Sequence, residues 1–128
     1  MVKTALVEKN LEEGKRLIEE LDKTTFRVDA AFWFYVSESD EWRLFIASRF
    51  VEREGPKKSY NFIQSIIEKL SPPASITLTE ISVLKLTDDL IKTLRTGIRT
   101  GRGISGIRFT GNVINNTFIE DAYIYRMV

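Results

Sequence analysis

The stretch that decides the fold is RVDAAFWFYVSESDEWRLFIASRFV, residues 27–51. Two runs of β-branched and aromatic residues are separated there by the polar tetrapeptide SESD, a pattern typical of a β-hairpin. With that tetrapeptide as the turn, Tyr35 pairs with Trp42 and Phe32 pairs with Phe45. Because side chains alternate between the two sides of a strand, both faces of this hairpin are apolar. We therefore expect other parts of the molecule to cover both faces.

The two faces of the hairpin carry different residues. The tryptophan face comprises Trp33, Tyr35, Trp42, Leu44 and Ile46, and the phenylalanine face comprises Phe32, Phe34, Arg43, Phe45 and Ala47. We expect the phenylalanine face to form the core beneath the helices, with Arg43 extending towards a carboxylate at the edge. The tryptophan face is then surplus, and its aromatic residues become a candidate subunit interface. In the alternative, Phe32, Phe34 and Phe45 stack the bases of a single-stranded nucleic acid.

A helix is predicted over residues 3–23. Its apolar stripe has the spacing 4, 3, 4, 3 and consists of Val7, Leu11, Gly14, Ile18 and Leu21. Gly14 within this stripe costs about 1 kcal/mol relative to alanine, and therefore indicates a close approach of another group to the backbone. We favour docking of this helix on the sheet. A helix–helix dimer seam is the alternative, although the pattern lasts only about two heptads.

The rest of the chain completes an α+β domain. A second helix is predicted between Gly55-Pro56 and Ser71-Pro72-Pro73, followed by a strand at 75–86 with a change of phase at Glu80. A third helix is predicted to be capped by Thr87. Two more strands are predicted at 104–110 and 117–125, joined by a turn at Asn115-Asn116. The predicted order is α-β-β-α-β-α-β-β. It indicates a mostly antiparallel sheet with helices packed on one side, in a single domain over residues 1–128.

Composition excludes several functional classes. The 128 residues have a formal net charge of +1 and include neither cysteine nor histidine. The chain therefore offers no thiolate nucleophile, no imidazole base and none of the usual zinc, copper or iron ligands, and we predict neither a cofactor nor a metal site. Charged residues interrupt residues 1–21, so no signal peptide is predicted there. We expect a cytoplasmic protein that does not interact with membranes.

The strongest local charge lies between residues 92 and 108. This basic segment contains no acidic residue and carries Lys92, Arg95, Arg99, Arg102 and Arg108. Its glycines at 101, 103 and 106 match G-x-G-x-x-G, but a dinucleotide site needs a strand before them and a helix after them, and the predicted order is the reverse. In one interpretation the segment is structural. In the other, its guanidinium groups bind phosphates or single-stranded nucleic acid.

Carboxylates provide the remaining candidate chemistry. Asp88, Asp89 and Glu120 could contribute oxygen ligands for Mg²⁺, although their spacing is not diagnostic and Asp88 and Asp89 suit a helix N-terminus. The first hypothesis is therefore a non-catalytic binding module that self-associates or binds a protein partner. Nucleic-acid or phosphate binding through the basic segment is the second hypothesis, and a Mg²⁺-dependent phosphoryl enzyme is the third.

Overall fold

The computed structural model describes residues 3–128, so residues 1 and 2 of the predicted domain lie outside the described part. The elements in chain order are α1 (Glu8–Asp22), β1 (Ala30–Val36), β2 (Glu41–Ala47), α2 (Arg49–Lys69), a 3-10 turn (Leu78–Glu80), β3 (Ile81–Leu84), α3 (Asp89–Arg95), β4 (Ile107–Ile114) and β5 (Thr117–Met127). The predicted α+β class and element order are confirmed.

The five strands form one sheet in the order β3-β2-β1-β5-β4. All neighbours are antiparallel except β2 and β3, which are parallel, so the sheet is mixed. The predicted hairpin register is confirmed, because Tyr35 pairs with Trp42 and Phe32 with Phe45. The turn between β4 and β5 also lies where it was predicted. Asn115 and Asn116 both have positive φ there, of 48° and 65°, as a two-residue hairpin turn requires.

Helices cover both faces of the sheet, and the prediction of helices on one side is wrong. The tryptophan face packs under α1 and α2, which contribute Leu17, Ile18, Leu21, Val51, Ile63 and Ile66. The phenylalanine face packs under α3, which contributes Ile91 and Leu94, and against the loop residue Ile98. Two long helices can cover more sheet than one helix of seven residues. The tryptophan face is therefore covered more completely.

The tryptophan face is not the surplus face. Trp33, Tyr35 and Trp42 are only 1%, 6% and 8% exposed, whereas Phe34 and Phe45 are half-buried. The prediction that these three residues form a subunit interface is therefore wrong, since their side chains are already used in the core.

Several predicted boundaries also differ from the structure. Residues 49–51 were included in the hairpin stretch, but they belong to the first turn of α2, which is kinked at Gly55. Ser48 begins that helix, because its hydroxyl accepts a hydrogen bond from the backbone N–H of Phe50, the usual role of an N-cap serine. The phase change at Glu80 marks the end of the 3-10 turn, so that β3 is a short edge strand. Asp88, rather than Thr87, caps α3.

Gly14 is the point where α1 meets the sheet. The indole N–H of Trp33 donates to the hydroxyl of Tyr125 over 3.0 Å, and that hydroxyl donates to the carbonyl of Leu11 over 2.6 Å. A Cβ atom on Gly14 would lie 2.5 Å from the Tyr125 hydroxyl and 3.0 Å from Trp33 Nε1. The predicted close approach is confirmed, and α1 docks on the sheet.

Replacing Gly14 should therefore destabilise the fold. We expect Gly14→Ala to lower the free energy of unfolding by about 2–4 kcal/mol, because the methyl group overpacks the helix–sheet contact and displaces a buried hydrogen-bonded hydroxyl. Urea unfolding would measure this change. Gly101→Ala is the matched control, since a Cβ atom at Gly101 meets nothing within 4 Å. Equal stability of the two variants would contradict the proposed role of Gly14.

Candidate functional site

One end of the sheet brings together segments that are distant in sequence. β1 begins at this end, and β2, β3 and β5 end there, as their pairing requires. A cavity of about 390 Å³ lies at this end. We call it the arginine cavity, and its lining consists of Thr25, Arg27, Asp29, Ser48, Arg49, Phe50, Arg53, Leu86, Arg95, Arg102 and Val128.

Five arginines from different elements converge on this cavity. Arg27 precedes β1, Arg49 and Arg53 belong to the first turns of α2, Arg95 ends α3, and Arg102 lies in the loop before β4. Among residues 3–128, one aspartate is the only acidic side chain in the lining, so the side chains of the lining carry a formal charge of +4. The whole chain carries only +1. Positive charge is thus concentrated at this end of the sheet, and the rest of the protein is net acidic.

Backbone hydrogen bonds fix the wall of the arginine cavity. The N–H of Asp29 donates to the carbonyl of Ala47, and the N–H of Val128 donates to the carbonyl of Asp29, each over 3.0 Å. The hydroxyl of Ser48 donates to the carbonyl of Arg27 over 2.6 Å. These contacts join the segment before β1 to the end of β5 and to the start of α2. The arginines therefore extend from a wall that is already in place, and a ligand need not order it.

Arg102 and Arg95 differ in how their guanidinium groups are satisfied. Arg102 donates to the Asp29 carboxylate and to the carbonyl of Val28, each over 3.0 Å. Nε of Arg95 is shielded from solvent and, within residues 3–128, has no hydrogen-bond partner. A buried donor without an acceptor is rare and costly in native proteins. Within residues 3–128, Arg102 is therefore held by an ion pair, and Arg95 is not.

The structure separates the residues of the predicted basic segment. Arg95 and Arg102 line the arginine cavity, whereas Lys92 and Arg99 are exposed outside its lining. Arg108 lies on β4, and its guanidinium is bound in a two-point contact to Asp121, with N–O distances of 2.6 and 2.7 Å. The five residues therefore do not act together, and two of them belong to the candidate site.

The predicted stacking residues lie elsewhere. Phe32, Phe34 and Phe45 pack against one another on the phenylalanine face, with ring centroids 5.4–6.3 Å apart, and none of them lines the arginine cavity. Arg43 extends from that face to the edge strand, where it donates to the carbonyls of Thr79 and Ile81. The aromatic side chain that does line the cavity is Phe50, which was not singled out from the sequence.

A signal for three missed arginines was present in the hairpin register. Ala30 pairs with Ala47, so the residues just outside the hairpin, Arg27 on one side and Arg49 on the other, must leave the sheet at the same end. Arg53 follows Arg49 by one helical turn, which brings it to the same side of α2. Extending the predicted register by three residues would have placed Arg27 opposite Phe50, next to Arg49.

Comparison with protein families, curated proteins and solved structures finds no match for this chain. Proposals about function therefore depend on the geometry of the site.

In the part of the chain that the structure describes, no helix is both long and apolar enough to cross a membrane. Nor do three or more acidic side chains come together there in a way that could hold a metal ion. Asp88, one of the candidate Mg²⁺ ligands, accepts the N–H of Leu90 as the cap of α3.

Asp121 explains why Arg108 is unavailable to a ligand. Its carboxylate is 2% exposed and accepts hydrogen bonds from Arg108, Lys3 and Thr110. Burial alone would raise the pKa of this carboxyl, but the hydrogen bonds and charges of Arg108 and Lys3 outweigh burial and lower the pKa to about 2. Since the pKa is lower in the folded state than in the unfolded chain, this contact stabilises the fold above the unfolded pKa of about 3.9 and is lost as the pH falls towards 2.

Removing the Asp121 charge should flatten this pH dependence. We expect the wild-type protein to lose about 2 kcal/mol of stability between pH 4 and pH 2 from this group alone. Asp121→Asn should be less stable at neutral pH and should lose correspondingly less on acidification. Chemical denaturation at a series of pH values would test this, with the exposed turn substitution Glu38→Gln as control. A parallel pH profile for Asp121→Asn and the wild type would rule the assignment out.

Proposed function

We propose that the protein is a binding module for a phosphate-bearing ligand, which it holds in the arginine cavity. The observation that carries this proposal is the convergence of five arginines on the cavity, of which only Arg102 is closely paired with a carboxylate within residues 3–128. A guanidinium presents donors in a planar fork that matches phosphate oxygens. A phosphate group in the cavity would offset the positive charge of these side chains.

The ion pairs of the protein leave most of the cavity's charge free for such a ligand. Within residues 3–128, Arg27, Arg49 and Arg95 form no salt bridge, and Arg53 makes a single long contact of 3.9 Å with Glu54. Arg102 is the one arginine of the lining that is closely paired. Several guanidinium groups around one concave space favour a multivalent anion over a single carboxylate, because each additional phosphate oxygen can meet a separate donor.

Binding, rather than covalent chemistry, agrees with the use of the hydroxyl group of Ser48 in the wall. It donates to the carbonyl of Arg27 and accepts from the N–H of Phe50. Both interactions hold the wall in place, so this hydroxyl has a structural role. The charged side chains of the lining that remain unpaired within residues 3–128 are cationic.

Pyrophosphate provides a direct test. At constant ionic strength we expect it to raise the Tm of the wild-type protein, because a ligand that binds only the folded state stabilises it. Arg95→Met keeps the aliphatic stem and removes the donors, and it should weaken binding about tenfold or more, as expected for a hydrogen bond to a charged group. Titration calorimetry would measure the affinities.

Arg99→Met is the matched control, because Arg99 is exposed and lies outside the cavity lining. It should bind pyrophosphate like the wild type. The absence of any shift in Tm, or equal weakening by both substitutions, would refute the proposal. Weak binding that depends equally on every surface arginine would show a general charge effect, which also contradicts it.

A second proposal, self-association, is favoured by the hairpin of β4 and β5. Val113 and Phe118 pair across this hairpin and are 64% and 62% exposed. β4 is an edge strand of eight residues, and within residues 3–128 its backbone bonds only to β5 and to the side chain of Asn112. Its single charged residue, Arg108, is neutralised by Asp121. Edge strands that are free of charge and apolar beside the edge are suited to pairing with a second copy.

The opposite edge of the sheet is protected in a way that β4 is not. Arg43 donates to the backbone carbonyls of Thr79 and Ile81. The hydroxyl of Tyr60 accepts a hydrogen bond from the backbone N–H of Val83. β3 is also only four residues long. The contrast between the two edges favours β4 as the edge that pairs with a second copy of the chain.

Sedimentation velocity over a wide range of concentration would test self-association. We expect a reversible dimer that Phe118→Ser weakens about tenfold or more, since a buried aromatic residue is a typical interface hot spot. Val7→Thr replaces another exposed apolar residue, 52% exposed and outside the hairpin, and should leave the dimer unchanged. A monomer at every concentration would refute this second proposal without affecting the first.

A further inference from the structure

A second cavity adjoins the arginine cavity. It has a volume of about 240 Å³ and is lined by Asp22, Thr24, Arg27, Arg102 and Arg126. Arg27 and Arg102 line both cavities. The two spaces are therefore separated by a ridge that consists of two arginines, and positive charge continues from one cavity into the other.

We infer that the ligand of the arginine cavity is a single-stranded nucleic acid whose backbone crosses the ridge of Arg27 and Arg102. This inference rests on the proposed phosphate binding and names its ligand class. A compact anion would need only one of the two cavities. A chain of phosphates, by contrast, places successive charges on both sides of the ridge and contacts Arg27 from each side.

The second cavity has little free positive charge of its own with which to bind a separate anion. Arg126 is 3% exposed, and its guanidinium is bound to the Asp22 carboxylate over 2.9 and 2.8 Å. It also donates to the carbonyl of Val28, the same carbonyl that Arg102 contacts. Arg126 is therefore already neutralised. Because Arg102 is paired with Asp29, the charge that this cavity offers comes mainly from Arg27, so it extends the arginine cavity and is not an independent site.

Phe50 adds a surface for a base. Its ring is half-buried in the arginine cavity and is held by Phe26 and Phe62, with centroids 4.8 and 5.3 Å away. Arg53 lies 5.6 Å from the centroid of the same ring. A fixed aromatic ring beside guanidinium groups is typical of proteins that bind single strands, because every base can stack on it.

The shape of the site favours a single strand over a duplex. The phosphates of a duplex lie on a stiff convex cylinder, and the arginines of this site surround concave spaces of about 390 and 240 Å³. A flexible single strand can follow such a surface and can turn a base towards Phe50. A duplex would have to contact the exposed rim alone.

The experiment is fluorescence anisotropy with labelled oligothymidylates of two, four, eight and twelve nucleotides. We expect affinity to rise at least tenfold from the dinucleotide to the octamer and then to level off, with a log–log salt slope of about −2 to −3 for three or four phosphate contacts. Arg27→Met should reduce the octamer's affinity to about that of the dinucleotide. Arg99→Met should bind all lengths like the wild type.

A variant of Phe50 separates base stacking from phosphate binding. Phe50→Leu should weaken octamer binding about fivefold or more, which corresponds to the loss of one stacked base, and should leave pyrophosphate binding unchanged. Inorganic polyphosphate that binds as tightly as the octamer, or a duplex that binds as tightly as the single strand, would overturn the inference.

The outcomes distinguish this inference from the proposed function. If pyrophosphate binds in an Arg95-dependent manner but affinity does not increase with length, the ligand is a compact phosphate compound and only the inference fails. If neither pyrophosphate nor any oligonucleotide binds, both fail. Oligonucleotide binding that is indifferent to Arg27→Met and Arg95→Met would place the nucleic acid elsewhere on the protein and would overturn both assignments.

Discussion

Both faces of the β1–β2 hairpin are apolar, and the rest of the structure follows from the need to cover them. Each Å² of apolar surface left in water costs about 25 cal/mol, so the sheet must carry a helix layer on either side. The three helices that cover the sheet are joined to it by the connections α1–β1, β2–α2 and β3–α3, and all three connections lie at the same end of the sheet. The arginine cavity lies where these connections meet, so the position of the site is a consequence of how the core is closed.

Local features of the fold could be predicted from the sequence because each is specified by residues close to it. The polar tetrapeptide set the register of the hairpin, and Asn115-Asn116 set that of the last two strands, because both asparagines tolerate positive φ. Gly14 predicted a close contact, because a glycine within the apolar stripe of a helix lowers helix stability relative to alanine and packing must offset that loss. The assignment of helices to faces is not local. It depends on the length of α3, seven residues, relative to the other two helices.

The arginines of the site illustrate the same limit. A run of charge in the sequence indicated residues 92–108, but strand alternation turns Arg108 towards Asp121 and a loop carries Arg99 away from the cavity. The residues that do converge are separated by up to 75 positions along the chain, from Arg27 to Arg102. Their proximity follows from sheet topology, and only the part that the hairpin register determines, Arg27 beside Arg49, was within reach of the sequence.

Two buried polar groups, the carboxylate of Asp121 and Nε of Arg95, differ in how fully the protein satisfies them. The carboxylate of Asp121 is met by Arg108, Lys3 and the Thr110 hydroxyl. The guanidinium of Arg95 has a buried Nε that no acceptor within residues 3–128 meets. Nε of Arg95 therefore departs from the rule that buried polar groups are hydrogen-bonded. Departures from such local rules are typical of functional sites. Several of the arginines around Arg95 have no close ion pair within residues 3–128, so their mutual repulsion lowers the stability of the free protein. An anion that enters the cavity removes this repulsion, and part of its binding energy comes from that relief.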